Sequence, residues 1–379
     1  MKRLIPFFMI ASAIMLAGNT AQSFADEWLT AGIATIPAVA LPADPTVAVA
    51  TMNPANLGSG ISAITKVASE GTMTTTLTRM ATMRSTLGYI PVGSGDASST
   101  NALRSPGFWA TAYGTWGDQD EIDHVFGYEY DVTGFMLGYD VQSSSNWLYG
   151  INMGFSFAGV DSGATTDTDV DTFNVGLYAS YTQGLMYIDY GVMFSHGEID
   201  NDRKIFTSSG WIGASSKTNS SAYTGYLEIG QHYPSSNYII TPFAGVMYTY
   251  AQIEDYGEEA PDFTAVGLLV DETDAEFFST TLGVKGEYFV DNIFHLKGLV
   301  SWKYEHSDDL QSTTEARFNY AGSRYFESDG IDVDKDLFTV GVGMKYLYSP
   351  VIVFDLDYLL ELADEFDSHT AALTIQYTF

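Results

Sequence analysis

The sequence predicts an all-β fold class, a transmembrane antiparallel β-barrel, and three observations lead to it. The last residues alternate strictly, with Leu373, Ile375, Tyr377 and Phe379 on one face and small polar residues on the other. Other strands repeat this alternation but carry charged side chains on the second face. Long and short connections alternate along the chain. A closed barrel with a lipid-facing exterior and a wet lumen accounts for all three observations.

Composition excludes several classes of protein. The chain has 379 residues, with 16 Lys+Arg against 47 Asp+Glu and a formal net charge of −31. Nucleic acid is not an expected partner, because phosphate binding needs clustered cations. There are no cysteines, which excludes disulfides and thiolate metal sites. Aromatic residues make up 14% and glycines number 36, which is typical of a membrane barrel with aromatic girdles.

Residues 1–25 have the pattern of a secretory signal peptide. A basic start, Lys2-Arg3, is followed by an apolar stretch over 4–18 and by the small-x-small sequence that ends at Ala25. We therefore expect cleavage after Ala25. Residues 26–55 are rich in Ala, Pro, Thr and Val, without a helical or strand period, and predict an extended segment.

One helix is predicted ahead of the strands, over residues 56–88. Apolar residues such as Met73, Leu77 and Met80 recur at helical spacing, and Gly88 is a helix-stop signal. The rest of the helix surface is mostly Thr, Ser, Lys and Arg, which does not suit lipid. The helix either packs on another surface or lies inside a polar lumen. Residues 89–106 predict a linker, and the barrel is expected at 107–379.

Twelve strands are predicted in the barrel region. Alternation is clearest in the second half, for example between Phe294 and Tyr304. Pro242 falls inside the seventh strand and predicts a bulge or a strand end, because it has no N–H to donate. The predicted spans are 107–117, 131–141, 147–158, 171–182, 185–199, 221–233, 238–252, 275–290, 293–305, 335–348, 350–362 and 369–379.

Charged side chains collect on the face opposite the apolar one. A dry core would not tolerate so many charges, whereas a water-filled lumen does, with lysines and carboxylates offsetting each other. We expect the following residues to face the lumen: Asp189, Glu228, Lys285, Glu287, His295, Lys297, Lys303, Lys345, Asp355 and Asp357.

The connections order the topology. Short turns are predicted near 143–146, 183–184, 234–237, 291–292 and 349–350. Longer, acidic connections are predicted between them, near 118–130, 159–170, 200–220, 253–274, 306–334 and 363–368. Since outer-membrane barrels have short periplasmic turns and long outer loops, both ends of the barrel should lie on the periplasmic side.

Enzymatic chemistry is not expected. The six histidines show no metal-binding spacing, and no nucleophile-elbow motif occurs. His306 beside Asp308 and Asp309 is better explained as a solvated loop end than as part of a hydrolase site. The acidic runs at 167–171 and 329–336 lack the pattern of a calcium loop. No cofactor or metal is therefore predicted.

Three strands resemble those of a known family. Residues 107–120 (GFWATAYGTWGDQD) resemble the first strand of the autotransporter β-domain. Residues 128–140 (YEYDVTGFMLGYD) and 146–156 (NWLYGINMGFS) resemble its second and third strands. The terminal Tyr-Thr-Phe fits the family's ending, and the resemblance covers roughly residues 56–379, including the preceding helix.

The resemblance implies a type V secretion translocator in the outer membrane of a Gram-negative bacterium. It implies a twelve-stranded barrel with the helix in the lumen and an N-terminal segment that is anchored at or exported to the cell surface. Barrel-assembly machinery would recognise the C-terminal strand through Leu373, Ile375, Tyr377 and Phe379. Outer-membrane lipid, this machinery and periplasmic chaperones are the expected partners, and a monomer is expected.

The chain departs from the family pattern in its short N-terminal segment. About thirty residues separate Ala25 from the predicted helix, where a passenger is usually far longer. Residues 56–87 contain no pair of asparagines, so the self-cleavage known in some family members is not expected. The alternative hypothesis is a stand-alone outer-membrane channel or structural barrel that the helix plugs.

Overall fold

The structure is a computed structural model that describes most of the predicted barrel and the helix ahead of it. It describes residues 55–86, 107–122, 126–143, 146–163, 165–207, 210–262, 266–307, 313–320, 323–328, 331 and 334–378. Within the helix it describes the side chains of residues 65–67 and 69–81. The predicted signal peptide with Ala25, the segment up to residue 54, the linker 89–106 and Phe379 lie outside the described residues.

Twelve long strands form the barrel, and short strands lie in two of the connections. The barrel strands are β1 (Gly107–Gln119), β2 (Tyr128–Gln142), β3 (Trp147–Ser162), β4 (Thr166–Gln183), β5 (Met186–Thr207), β6 (Gly210–Gln231), β8 (Tyr238–Ile253), β11 (Thr273–Phe289), β12 (Phe294–Glu305), β15 (Asp336–Ser349), β16 (Ile352–Ala363) and β17 (Phe366–Thr378). The short strands are β7 (Tyr233–Pro234), β9 (Tyr256–Gly257), β10 (Leu268–Val270), β13 (Thr314–Phe318) and β14 (Phe326–Ser328). The helix α1 is Ala55–Thr86.

The barrel is closed and antiparallel throughout. Each long strand pairs with its neighbour in the chain, β8 pairs with β11, and the last strand pairs with the first. In that last seam Gly107 lies opposite Thr378 and Gln119 opposite Phe366, without a register shift. The predicted fold class, a twelve-stranded antiparallel barrel with an N-terminal helix in its lumen, is confirmed.

The two faces of each strand meet different surroundings. In β2 and β3, the outward Leu137 and Ile151 are 51% and 44% exposed, while the inward Met136 and Asn152 are 0% and 2% exposed. Large apolar side chains are exposed in this way around the whole barrel. A belt of this extent on a soluble surface would be unusual, and it is the surface that a bilayer covers.

Three of the six predicted long connections are wrong. Residues 159–170 and 200–220 are mostly strand, because β3 to β6 continue past the apolar belt and β5 and β6 reach 22 residues each. A spanning strand needs about 9–11 residues, so this part of the barrel projects into water. The outward residues there are polar, such as Asp200 and Asp202, and this polarity suggested loops in the sequence. The connection predicted at 363–368 is likewise shorter, since β16 and β17 are separated by two residues.

Pro242 lies inside β8 without a bulge. The β6–β8 ladder runs from the pair Ser220–Ile253 to the pair Gly230–Phe243. The same register continues between β7 and β8 with the pair Tyr233–Ile240. The interruption between these pairs coincides with the missing N–H of the proline. On its other side Pro242 stays in register opposite Val284 of β11.

The helix α1 lies inside the barrel, against the inner faces of β2 to β6 and β8. Its apolar residues Met73, Leu77 and Met80 are buried there. Aromatic side chains of β1 turn inward beside them, and each lies over a glycine of β2. A Cβ at Gly138 would collide with the Trp109 indole, and a Cβ at Gly134 would collide with the Tyr113 ring.

Gly138→Val should therefore destabilise the barrel by about 1–3 kcal/mol, the usual cost of overpacking, because the added methyl groups displace Trp109. The measurement is the urea midpoint at which the heat-modifiable folded band is lost on a gel. The matched control is Gly225→Val, since a Cβ at Gly225 has open space around it. Equal midpoints for the two variants would contradict the close packing.

Candidate functional site: the barrel lumen

The direction of α1 in the lumen follows from contacts near its two described ends. Arg79, toward the C-terminal end, bonds to Asp140, which lies near the short turn between β2 and β3. Lys66, toward the N-terminal end, bonds to Glu305 at 2.9 Å, where β12 meets a long connection. The helix therefore begins at the end of the barrel with long connections and ends at the end with short turns.

Arg79 and Asp140 form a fully buried ion pair that holds the C-terminal half of α1. The Arg79 Nε and Nη2 atoms donate to the two Asp140 oxygens at 2.9 and 3.1 Å, and both side chains are 0% exposed. The Tyr178 hydroxyl also donates to Asp140, at 3.0 Å, and itself accepts from the Trp109 indole at 2.9 Å. Side chains from β1, β2 and β4 thus fix the carboxylate that the helix binds.

Uncharged polar side chains continue this contact along α1. The Asn152 amide donates to the Thr76 hydroxyl at 2.7 Å. The Ser69 and Thr224 hydroxyls lie 2.6 Å apart and share a hydrogen bond. Both partners are buried in each case. These hydrogen bonds therefore replace bonds to water that the side chains lose inside the barrel. We call this side of the lumen, formed by the inner faces of β2 to β6, the neutral wall after these uncharged contacts, although it also carries Asp140, Asp189 and Glu228.

The opposite side of the lumen, which we call the charged wall, is formed by the inner faces of β11, β12, β15 and β16. Lys297 bridges Asp355 and Asp357 at 2.8 and 2.7 Å. Lys345 Nζ lies 3.0 Å from the Glu287 carboxylate. The same carboxylate lies 2.8 Å from His295 Nδ1. The lysine pairs therefore link strands that lie two apart in the barrel, β12 with β16 and β15 with β11, and each lysine offsets a carboxylate charge.

Ion pairs also join the charged wall to α1 and to the neutral wall. Lys303 of β12 lies 3.4 Å from Glu70 of α1, and Lys285 of β11 lies 2.6 Å from Glu228 of β6. Asp189 lies on the neutral wall instead, where it accepts a hydrogen bond from Ser180 at 2.6 Å. The structure thus places all the residues expected on the lumen face on the inner side of the strands and brings all but Asp189 into these ion pairs.

A cavity of about 410 Å³ lies between α1 and the charged wall. The helix contributes Lys66, Glu70, Thr74 and Thr78 to its lining. The barrel contributes most of the charged wall, together with threonines of β1 and β17. Since α1 packs mainly against β2 to β6 and β8, it leaves a passage beside itself that is lined by both charged and apolar side chains.

Sequence reasoning missed the pair that fixes the helix. Arg79 and Asp140 are separated by 61 residues, and neither was among the expected lumen residues. A signal was present, because Asp140 follows the inward positions of β2 at period two, after Val132, Met136 and Gly138. What the sequence could not indicate is which residue of the helix meets it.

The apolar residues expected to signal barrel assembly face outward. Leu373, Ile375 and Tyr377 of β17 are 45%, 43% and 47% exposed, within the apolar belt. Phe379, the last of this set, lies outside the described residues. Their role in assembly stays a prediction.

Of the three residues considered for a hydrolase site at the outer end of the barrel, the structure describes only His306. His306 Nε2 lies 3.0 Å from the Thr280 hydroxyl, while Asp308 and Asp309 fall outside the described residues. Within the described residues, no group of three or more His, Asp or Glu side chains is arranged to hold a metal ion. Over the same residues, no helix has the length and hydropathy needed to cross a membrane.

Asp140→Asn should loosen α1 while leaving the barrel folded. The substitution leaves Arg79 buried opposite a neutral amide, and removing one partner of a buried pair costs about 3–5 kcal/mol. The chain has no cysteine, so Met80→Cys gives a single buried thiol on the helix. We expect this thiol to resist a maleimide in the otherwise unchanged protein and to react in the Asp140→Asn background.

The matched control is Asp200→Asn, which removes the partner of Lys217 in a pair whose side chains are 58% and 83% exposed. Exposed pairs contribute little, so labelling at position 80 should not change. Heat-modifiable gel mobility checks that the barrel is folded in both variants. Equal labelling of the Asp140→Asn and Asp200→Asn proteins would contradict the role of the buried pair.

Comparison with known proteins identifies the family. A family model described as the autotransporter beta-domain matches residues 108–358, more than half of the chain. No curated protein sequence matches at a significant level. The resemblance seen in the first strands is therefore confirmed by the family model over most of the barrel.

Solved structures share the architecture at low sequence identity. The translocator domain of autotransporter NalP from Neisseria meningitidis superposes with a TM-score of 0.58 at 11% identity, covering 82% of this chain and 98% of that one. The beta domain of the Bordetella autotransporter Brka superposes with a TM-score of 0.54 at 17% identity, covering 73% of this chain and 100% of that one. These likenesses concern the fold, a barrel with a helix ahead of its first strand. The chain belongs to the autotransporter beta-domain family, and it is a translocator barrel of the Gram-negative outer membrane.

Proposed function

We propose that the barrel exports the segment that precedes α1 to the cell surface and then keeps α1 in the lumen as its anchor. The supporting observation is the direction of α1, whose N-terminal half lies beside Glu305 and Phe277 at the end with long connections. In outer-membrane barrels that end faces outward. A chain that enters the helix from this end has residues 26–54 on the cell's exterior.

The anchoring role rests on the contacts of α1. A buried charge is unfavourable until its partner is in contact with it. A helix that only moved through the lumen would therefore not be stabilised by such an ion pair. Arg79 and Asp140 satisfy each other only in one position of the helix along the barrel axis. The pair therefore gives the helix a defined resting position rather than a range of positions.

We further propose the partners that this role requires. Barrel-assembly machinery recognises β17 through its outward residues Leu373, Ile375 and Tyr377 together with Phe379, and periplasmic chaperones hold the chain before insertion. The apolar belt is then covered by outer-membrane lipid around a monomer. Translocator barrels of this family are transport domains, and we propose that this chain has no enzymatic activity of its own and binds no nucleic acid.

An epitope tag inserted after Trp28 tests the export. On intact cells we expect external protease to remove the tag, because the segment ahead of α1 lies outside. A tag in the short turn at Gly184, between β4 and β5, is the control and should stay protected until the outer membrane is permeabilised. Protection of both tags on intact cells would place the N-terminal segment in the periplasm and refute export.

A second candidate function is a stand-alone channel that α1 plugs. The observation that favours it is the cavity between α1 and the charged wall, which already leaves space beside the helix. Under this hypothesis the N-terminal segment need not reach the surface. Conductance then becomes the informative quantity, because it depends on the lumen and not on the fate of the segment.

Deletion of residues 55–86 should increase single-channel conductance in planar lipid bilayers if α1 obstructs the lumen. The helix is 32 residues long, about 48 Å at 1.5 Å per residue, which exceeds the thickness of the hydrocarbon core. The full chain is the reference, and heat-modifiable mobility shows that both proteins are folded. An unchanged current after deletion would rule out obstruction by the helix.

A further inference from the structure

Two of the long connections at the outer end of the barrel fold together into a small sheet. The strands β9 and β10 lie in the connection between β8 and β11, and β13 and β14 lie in the connection between β12 and β15. They pair in the order β14-β13-β10-β9, so the sheet joins connections from separate parts of the barrel. We call it the lid sheet. Its residues Leu268, Ala316 and Phe318 are 0% exposed, so one of its faces is covered.

The lid sheet is covered by the inner side of the projecting strands. Beyond the apolar belt, β5 and β6 turn Ile205, Ile212 and Ala214 inward, and all are buried in one cluster with Leu268 and Phe318. On a barrel that was open at this end, these inward apolar side chains would face water. Their burial therefore means that the lid sheet lies within the outer mouth and not beside it.

A buried ion pair joins the lid sheet to β5. Arg203 and Glu258 bond through both carboxylate oxygens, and their side chains are at most 2% exposed. The same carboxylate accepts from the Leu268 N–H at 2.8 Å. Nearby, burial and then the Glu258 carboxylate raise the pKa of Tyr256 well above its usual value. The Arg203–Glu258 pair is thus shielded from solvent, although it lies at the end of the barrel that projects into water.

The lid sheet lies at the outer end of the cavity beside α1. Ile331, in the connection that leads from β14 to β15, is 2% exposed, belongs to the same cluster as Phe318 and Phe326, and lines the cavity. Asp334 of the same connection also lines it. The passage between α1 and the charged wall is thus bounded on the outer side by the connection that leads from the lid sheet to β15.

We propose that the lid sheet is a lid that closes this passage to the exterior, and that the Arg203–Glu258 pair is its catch. The apolar contacts stabilise the closed position. The ion pair specifies it, because a buried pair adds little net stability but is strongly unfavourable when its members are misaligned. When the lid opens, both charges regain water. The lid goes beyond the export proposed above and does not depend on it, since a channel plugged by α1 would need the same closure.

The attachment of the lid sheet allows such a movement. Its strands are two to five residues long, and the barrel strands beneath it are complete without it. Among the described residues, its backbone ladder to the projecting strands is the single bridge between Ser215 and Glu259. Because so few backbone bonds join it to β5 and β6, the lid sheet can separate from them without breaking the main sheet once its buried apolar contacts are released.

The first test is Glu258→Gln in the full chain, with single-channel recording in planar bilayers. We expect the open probability of the passage to rise about a hundredfold or more, because Arg203 in the closed lid is then buried opposite a neutral amide. Glu254→Gln is the control, because Glu254 is exposed and, among the described residues, its carboxylate accepts a hydrogen bond from Asn219 alone, at 2.9 Å. Equal open probabilities in the two variants would overturn the role of the ion pair.

The second test locks the lid and does not rely on a variant that might misfold through a buried charge. Ser215 and Glu259 exchange backbone hydrogen bonds at 3.0 and 2.7 Å and are both exposed. Such pairs have Cα atoms about 5.5 Å apart, which suits a disulfide. In the Ser215→Cys/Glu259→Cys protein we expect channel openings under reducing conditions and their loss on oxidation. Openings of equal frequency in both states would overturn the lid.

The recordings separate the lid from export. A protein whose openings depend on the disulfide but whose tag after Trp28 stays protected on intact cells has the lid without the exporter. A protein whose tag is exposed and whose openings ignore the disulfide exports its segment without a lid. Each result therefore decides one proposal independently of the other.

Discussion

The closure of the strand ladder is the constraint on which the rest of the structure depends. In hydrocarbon, an unpaired backbone N–H or C=O costs several kcal/mol, so a sheet in a bilayer must have no free edge. The seam between β1 and β17 removes the last edge, with Gly107 opposite Thr378 and Gln119 opposite Phe366. Hydroxyl pairs such as Thr111 and Thr374, 2.7 Å apart, add side-chain hydrogen bonds across it.

Closure also determines what the lumen must contain. Because successive side chains of each strand alternate, every outward apolar residue brings an inward neighbour with it. The barrel is wide enough that these neighbours cannot fill it, and α1 occupies part of the remaining space. The lumen is then divided into the neutral wall, which binds the helix through Asp140 and through hydroxyls and amides, and the charged wall, whose side chains pair mainly with one another. The helix is held on the side where its threonines and serines find partners of their own kind.

The sequence predicted the barrel because lipid enforces a strong pattern on its strands. Positions such as Leu137 and Ile151 must be apolar, so period two is visible wherever the chain crosses the belt. Above the belt the outward face meets water and the inward face meets the lid sheet. There the alternation is inverted, with Ile205 and Ile212 inside and Asp200 and Lys204 outside, and a search for lipid-facing strands mistakes it for loops.

Contacts between distant segments were the part that the sequence did not predict. The alternation identified the charged residues of the charged wall, because they share one face of their strands. The partner of each residue depends instead on the register between strands, and these partners lie up to 60 residues apart in sequence, as with Lys297 and Asp357. The site of α1 depends likewise on Arg79 meeting Asp140. A helical pattern shows that a face is polar, but it does not show which wall of which lumen that face will contact.

The distribution of charge argues that the two walls have different roles. The chain has a formal net charge of −31, yet the charged wall draws four of its lysines, Lys285, Lys297, Lys303 and Lys345, into the lumen. Each is offset by a carboxylate within 3.4 Å, so the wall is polar but has little net charge. Such a surface holds water and gives a passing or neighbouring segment no single strong attraction. Ion pairing within one wall, and the Arg79–Asp140 pair with the hydroxyl contacts on the other, therefore hold the helix to one side and leave a passage beside it.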